Sequence, residues 1–130
     1  MFKYSRSDIY DSIDEVNRFI ALFNEFDTKG SFFVEDTDLY KILIKLPFET
    51  QALLHGLMQL GKEYIETKEL PDNSLDELNK IIRYFENNHR YASEMIDKAL
   101  MTAKYLETGR NLIDYRYREL LKFPVKELDN

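Results

Sequence analysis

Between Leu75 and Leu106 the chain sets Leu75, Leu78, Ile82, Phe85, His89, Ala92, Ile96, Ala99, Ala103 and Leu106 at alternating steps of three and four, and nine of the ten are apolar. That spacing draws a stripe along one face of an α-helix and fits no strand. Ser74-Leu75-Asp76-Glu77 ahead of it has the form of a capping box, with Ser74 as cap and Glu77 reaching back. Gly109 beyond it supplies a stop. The pattern predicts one long helix over about 74–108, about 50 Å from end to end at the α-helical rise. Asn87 and Asn88 are poor helix formers, and a break there would give a hairpin. The unbroken phase on both sides favours continuity.

The remaining chain also reads as helix. Ile9, Ile13, Val16, Ile20 and Phe23, widened by Phe19, Leu22 and Phe26, predict a buried helix over about Ser7–Asp27 with Ser7 as cap and Gly30 as stop. Ser31-Phe32-Phe33-Val34 reads as an extended link or one short strand. Asp36 or Thr37 can cap a short helix carrying Leu39, Ile42, Leu43 and Leu46. Pro47 then opens a third helix through Leu53, Leu54, Leu57, Met58, Tyr64 and Ile65, with Gly61 as a weak point. Leu70-Pro71-Asp72-Asn73 is a loop. Asn111 is placed to cap a last helix running to about Lys122. The expected fold is all-α: a four- to five-helix bundle with one long helix, a minor two-strand element being the only β alternative. One helical domain covers 1–124, and 125–130 form a loose C-terminal tail.

Composition narrows the chemistry. With no cysteine, disulfides, thiolate metal sites and cysteine nucleophiles are excluded. The N-terminal residues lack the apolar run of a signal peptide, so a cytoplasmic location is expected, with no membrane role. Net charge is −6, and it is uneven: residues 1–40 carry 9 acidic and 4 basic side chains. An acidic chain does not attract phosphate backbones, which makes a nucleic-acid role unlikely on charge alone.

Two resemblances add to this. Phe19, Phe23, Phe26 and Asp27, with Val34 at the eighth loop position and Asp38 at the twelfth, are similar to the entering helix and loop of an EF-hand. Tyr64-Ile65-Glu66-Thr67-Lys68-Glu69-Leu70 resembles the end of a second loop, so residues 19–70 resemble a degenerate EF-hand pair. The resemblance implies two helix–loop–helix units, with Val34 and Ile65 pairing as a short ladder. Lys29 and Phe32 stand where that family has a ligand and a glycine, and a second loop starting at Met58 has no ligands, so no strong calcium binding is implied. Separately, Leu46-Pro47, Ala52-Leu53-Leu54, Leu57-Met58-Gln59-Leu60-Gly61-Lys62, Tyr105-Leu106 and Gly109 resemble a motif of a bacterial helical family of unknown function, over about half the chain. It implies a helical fold and no activity.

No phosphate-binding loop, nucleophile elbow or paired-histidine metal motif is present, so the sequence predicts no enzyme, no metal and no cofactor. His55, among leucines, reads as a helix-surface or boundary residue. His89 falls within the long stripe, and Asn88, His89 and Arg90 form a candidate polar seam or pocket. Near the C-terminus Tyr115, Arg116, Arg118 and Lys122 form a candidate partner-binding surface, and this basic end is placed to meet the acidic N-terminal helix. The expected function is a small protein-interaction or regulatory domain of adaptor or inhibitor type, acting through a helical face on a protein partner or a second copy of itself. The alternatives are a nucleic-acid-associated regulator using the basic C-terminal helix and the degenerate EF-hand module.

Overall fold

The computed structural model describes residues 3–26, 37–87, 90–114 and 116–117. Among the described residues there are seven helices and no strand. They are α1 (Arg6–Asp11), α2 (Ile13–Asn24), α3 (Asp38–Ile44), α4 (Phe48–Thr67), α5 (Ser74–Tyr84), α6 (Tyr91–Asp97) and α7 (Ala99–Ile113). The all-α expectation stands, while the four- to five-helix count gives way because two of the expected helices are interrupted.

The organising element is α4 and not the 74–108 segment. Every residue from Ala52 to Met58 is buried, followed by Leu60, Gly61 and Tyr64. A helix buried on all sides must run through the middle of the fold. At 20 residues it spans about 30 Å, and α5, α6 and α7 pack along it. Against α7 the two backbones touch. A Cβ built on Gly61 would lie 1.9 Å from the Tyr105 carbonyl oxygen, and one on Gly109 2.1 Å from that of Leu57. Gly61 is therefore the contact that lets α7 close onto α4, and Gly109 lies inside α7 as its counterpart. Neither is the weak point or the stop that the sequence suggested.

The expected 74–108 helix is broken twice. Helix α5 ends with Phe85 as C-cap (φ −99°, ψ 12°), and the Tyr91 hydroxyl donates to the Phe85 carbonyl at 2.8 Å. A second interruption falls at Lys98 (φ −106°, ψ 23°), where the buried Thr102 hydroxyl lies 2.7 Å from the Met95 carbonyl and 3.0 Å from that of Lys98. The three-four phase survives both breaks because each segment buries a stripe against the bundle. A phase records burial, and says nothing of whether the backbone between two buried stretches stays helical. The helix expected from Ser7 is likewise interrupted at Ser12, whose hydroxyl donates to the Asp8 carbonyl four residues back (3.1 Å), a bond that competes with the backbone ladder.

Caps explain where the helices begin. Ser5, not Ser7, caps α1 in a reciprocal box with Asp8. Thr37 caps α3, accepting from the Tyr40 amide at 3.1 Å. At α5 the cap is Asn73, accepting from Asp76 at 3.1 Å; Ser74 is already helical, its hydroxyl buried without a hydrogen-bond partner. The short ladder is not formed on the Ile65 side, since Ile65 and the second loop from Met58 through Thr67 lie in α4. Its other side, 31–34, lies outside the described residues, as does the 125–130 tail. Asn111 sits within α7, which ends at Ile113 and not at Lys122.

Two predictions test this packing. Gly61→Ala and Gly109→Ala each drive a methyl into a backbone carbonyl, and each should lose about 3 kcal/mol or more in urea titrations, well beyond the roughly 1 kcal/mol gained in helix propensity. Gly56→Ala meets side chains and no backbone, Ile82 Cγ1 at 2.7 Å with Ile82 Cδ1 and Leu78 Cδ1 at 3.1 Å, and since side chains can shift where a carbonyl cannot it should lose clearly less than either. Equal effects at all three glycines would contradict the contact. At α5, Asn73→Ala should cost about 1 kcal/mol and Ser74→Ala nothing or a slight gain in the same assay; the reverse order would restore Ser74 as cap.

Candidate functional site

Burial of α4 on all sides carries His55 inside with it. The ring is 1 % exposed, correcting its expected place at a helix surface. From α6, Glu94 reaches its Nε2 at 2.8 Å, and that carboxylate is one-third exposed. Burial is the larger influence and holds the imidazole below its ordinary pKa, outweighing the Glu94 hydrogen bond and charge, with Lys98 adding to the depression. His55 is therefore neutral near pH 7 and donates its Nε2 proton to Glu94.

Four aromatic rings extend this pair into a row. Phe85 meets the His55 ring edge-on with centroids 4.9 Å apart, and Tyr91 lies against it at 4.9 Å. Tyr84 packs edge-on against Phe85 at 4.9 Å, and Phe48 against Tyr91 at 5.1 Å. These separations suit attractive aromatic pairing. The middle of the row is buried, while its ends reach solvent: Tyr84 is 82 % exposed and Phe48 38 %. Ile44, at the end of α3 just ahead of Phe48, is 48 % exposed. Burial also raises the pKa of the Tyr91 phenol, so it remains a donor to Phe85.

Of the polar seam expected from the sequence, Asn88 and His89 lie outside the described residues, and Arg90 is the exposed N-cap of α6. The row was not legible as a site because its members come from three helices. The one local signal was the run Ala52-Leu53-Leu54-His55-Gly56-Leu57-Met58, since a histidine inside two helical turns with no other polar side chain has no wet face to occupy.

The C-terminal surface is only partly described. Tyr115, Arg118 and Lys122 lie outside the described residues. Arg116 folds back on Asp114, whose side chain is fully buried: its Nη2 lies 2.6 Å from Oδ2 and its Nε 3.0 Å from Oδ1. The guanidinium also lies over the Tyr10 ring at 5.1 Å. Arg110 donates to Asn17 at 2.9 Å and sits 4.1 Å over Tyr117, while Arg6 donates to the Ile113 carbonyl. The basic end thus meets the N-terminal helices, through Tyr10, Asn17 and a backbone carbonyl.

An open cleft of about 510 Å³ between α1 and the start of α4 is lined by Tyr4, Asp8, Asp11, Glu49 and Leu53. Asp8 is engaged in the Ser5 cap and the Tyr4 hydroxyl donates to the Glu49 carbonyl. Among the described residues no group of three or more His, Cys, Asp or Glu side chains is arranged to hold a metal ion, and no helix is long and apolar enough to cross a membrane. No family model matches the chain, and no curated protein or solved structure matches it either.

The Arg116 hydrogen bond is the main cause holding the Asp114 carboxyl below its ordinary pKa. A depressed carboxyl stabilises the fold above its unfolded value, near 3.9, and that contribution is lost as pH falls through the folded value. Asp114→Asn should therefore lower the urea midpoint at pH 6, and the gap to wild type should narrow below about pH 3.9. A gap that stays constant into acid would show that the carboxylate charge is not what the fold uses.

Proposed function

We propose that the chain is a small protein-interaction domain whose partner seats on the exposed ends of the aromatic row, Tyr84 and Phe48, and on Ile44, exposed four residues ahead of Phe48 in the chain. The observation that carries this reading is a continuous set of five rings, fixed in the middle by His55 and Tyr91 and open at both ends. Isolated exposed apolar residues are ordinary on a protein surface. A run of packed rings differs, because its exposed members are already held in place and lose little freedom on binding. Tyrosine is also among the residues that most often dominate binding energy at protein interfaces. Lys41 and Lys45 on the exposed side of α3, beside Ile44, favour a partner segment that carries carboxylates beside its apolar residues. The Arg116–Asp114 pair weighs against the nucleic-acid alternative, since that guanidinium is already committed to a buried carboxylate.

The test compares wild type with Tyr84→Ser and Ile44→Ser, which sit at exposed positions and should change stability by less than about 0.5 kcal/mol. Light scattering reports self-association, and quantitative mass spectrometry reports proteins retained from a lysate of the producing cells. A partner, or a second copy, should be held at least about tenfold less well by the double variant, equivalent to about 1.4 kcal/mol. A monomer whose retained proteins are the same with and without these two side chains would overturn the proposal.

A further inference from the structure

We propose that His55 is a proton-operated latch that holds the end of α5 and the start of α6 against α4. This inference stands on its own; only its consequence for partner binding rests on the reading above.

The argument begins with what converges on one ring. Phe85 caps the C-terminus of α5, Tyr91 is the first residue of α6, and Glu94 lies one turn further on. All three touch His55: two by ring contact at 4.9 Å, the third by a 2.8 Å hydrogen bond. The Tyr91 hydroxyl ties the two ends together through the Phe85 carbonyl. The imidazole is therefore the point on α4 to which both sides of the α5–α6 connection are fastened.

Those contacts suit a neutral ring. As neutral imidazole it donates one proton to Glu94 and offers its faces and edges to aromatic neighbours. As imidazolium it carries a full charge into a site that is 1 % exposed. The titratable and charged groups facing it are few. Glu94 from α6 favours the charge, Lys98 at the α6–α7 junction opposes it, and Tyr91 stays an uncharged phenol. From its own helix comes the Gln59 amide, 3.4 Å away, and from α5 the uncharged Phe85. A single carboxylate, itself partly hydrated, faces the whole desolvation cost. A proton then favours any arrangement in which the ring reaches water, which requires Phe85 and Tyr91 to lift from α4. The opening is local, because the glycine contact between α4 and α7 and the packing of α2 on α7 do not involve His55.

The linkage has a definite sign. Burial sets the closed-state pKa below the ordinary imidazole value near 6.5. The latch is thus fully held above about pH 6.5 and loosens as pH falls below it. One pH unit below 6.5, opening can rise by at most about tenfold. Because Tyr84 and Phe48 rest on Phe85 and Tyr91, the same proton alters the exposed ends of the row.

Amide hydrogen exchange on the full chain, corrected for the intrinsic pH dependence of exchange, is the experiment. Between pH 7.5 and 5.5, protection over residues 84–97 should fall by up to about tenfold, while 102–113 on α7 is unchanged. His55→Leu should abolish that difference. Glu94→Gln, which retains a hydrogen-bond acceptor, should instead move its midpoint to lower pH, and it serves on its own if the leucine variant fails to fold. An NMR titration should place the His55 ring below 6.5. The latch is overturned if 84–97 shows no pH-dependent loss, if His55→Leu shows the same loss as wild type, or if the ring titrates at or above 6.5. None of these readings involves a partner, so a latch without binding, or binding without a latch, would each be recognised.

Discussion

At Gly61 and Gly109 helices α4 and α7 approach so closely that a single methyl group on either would overlap a carbonyl of the other. Close approach multiplies dispersion contacts along the whole crossing, because each neighbouring side chain then reaches past its own helix onto the next. Leu57, Met58, Leu60 and Tyr64 on α4, and Ala103, Leu106 and Leu112 on α7, are all buried. With that pair set, α2 packs on the outer side of α7, and α5 and α6 take the remaining flanks of α4. The position of His55 follows from it as well, since over Ala52–Met58 the central helix is buried around its whole circumference.

The helical class and most helix-forming segments were legible in the sequence, because apolar residues at three-four spacing admit no other regular structure. The Thr37 cap, the loop after Leu70 and the helix following Pro47 were legible for equally local reasons. What failed was inference across a distance. The stripe from Leu75 to Leu106 is real as a pattern of burial, yet Phe85 and Lys98 interrupt its backbone through bonds from Tyr91 and Thr102 that no periodicity encodes. Ser74 lost the cap to Asn73, its immediate neighbour, a distinction of one residue that composition rules do not resolve. Gly61 read as a weak point because a lone glycine in a helix is unfavourable on propensity grounds, and Gly109 read as a stop because glycine commonly ends helices. Their use depends on their meeting, 48 residues apart in the chain.

The candidate site was less legible than the fold. His55 and Glu94 lie 39 residues apart and carry no recognisable spacing. The aromatic row draws on α4, α5 and α6 together with one capping position, Phe85, so each ring taken alone looks like an ordinary core or surface residue. Of the residues singled out near the C-terminus, Arg116 has a structural partner in Asp114, an acid only two residues away whose burial nothing in the local sequence announces.

The central position of α4 bears on the order in which the chain is made. Helices α5, α6 and α7 all follow it in sequence, so during synthesis α4 leaves the ribosome before three of its covering neighbours exist. Its stretch Ala52–Met58, buried on every side in the finished fold, is the kind of surface that associates with other chains while it waits. Closing α4 against α7 requires residues 105–109 to have emerged, so α4 stays partly uncovered until α5 and α6 have also been made. Any agent that delays emergence of α7 would prolong that exposure, which makes the timing of this one helix the factor that governs how safely α4 is made.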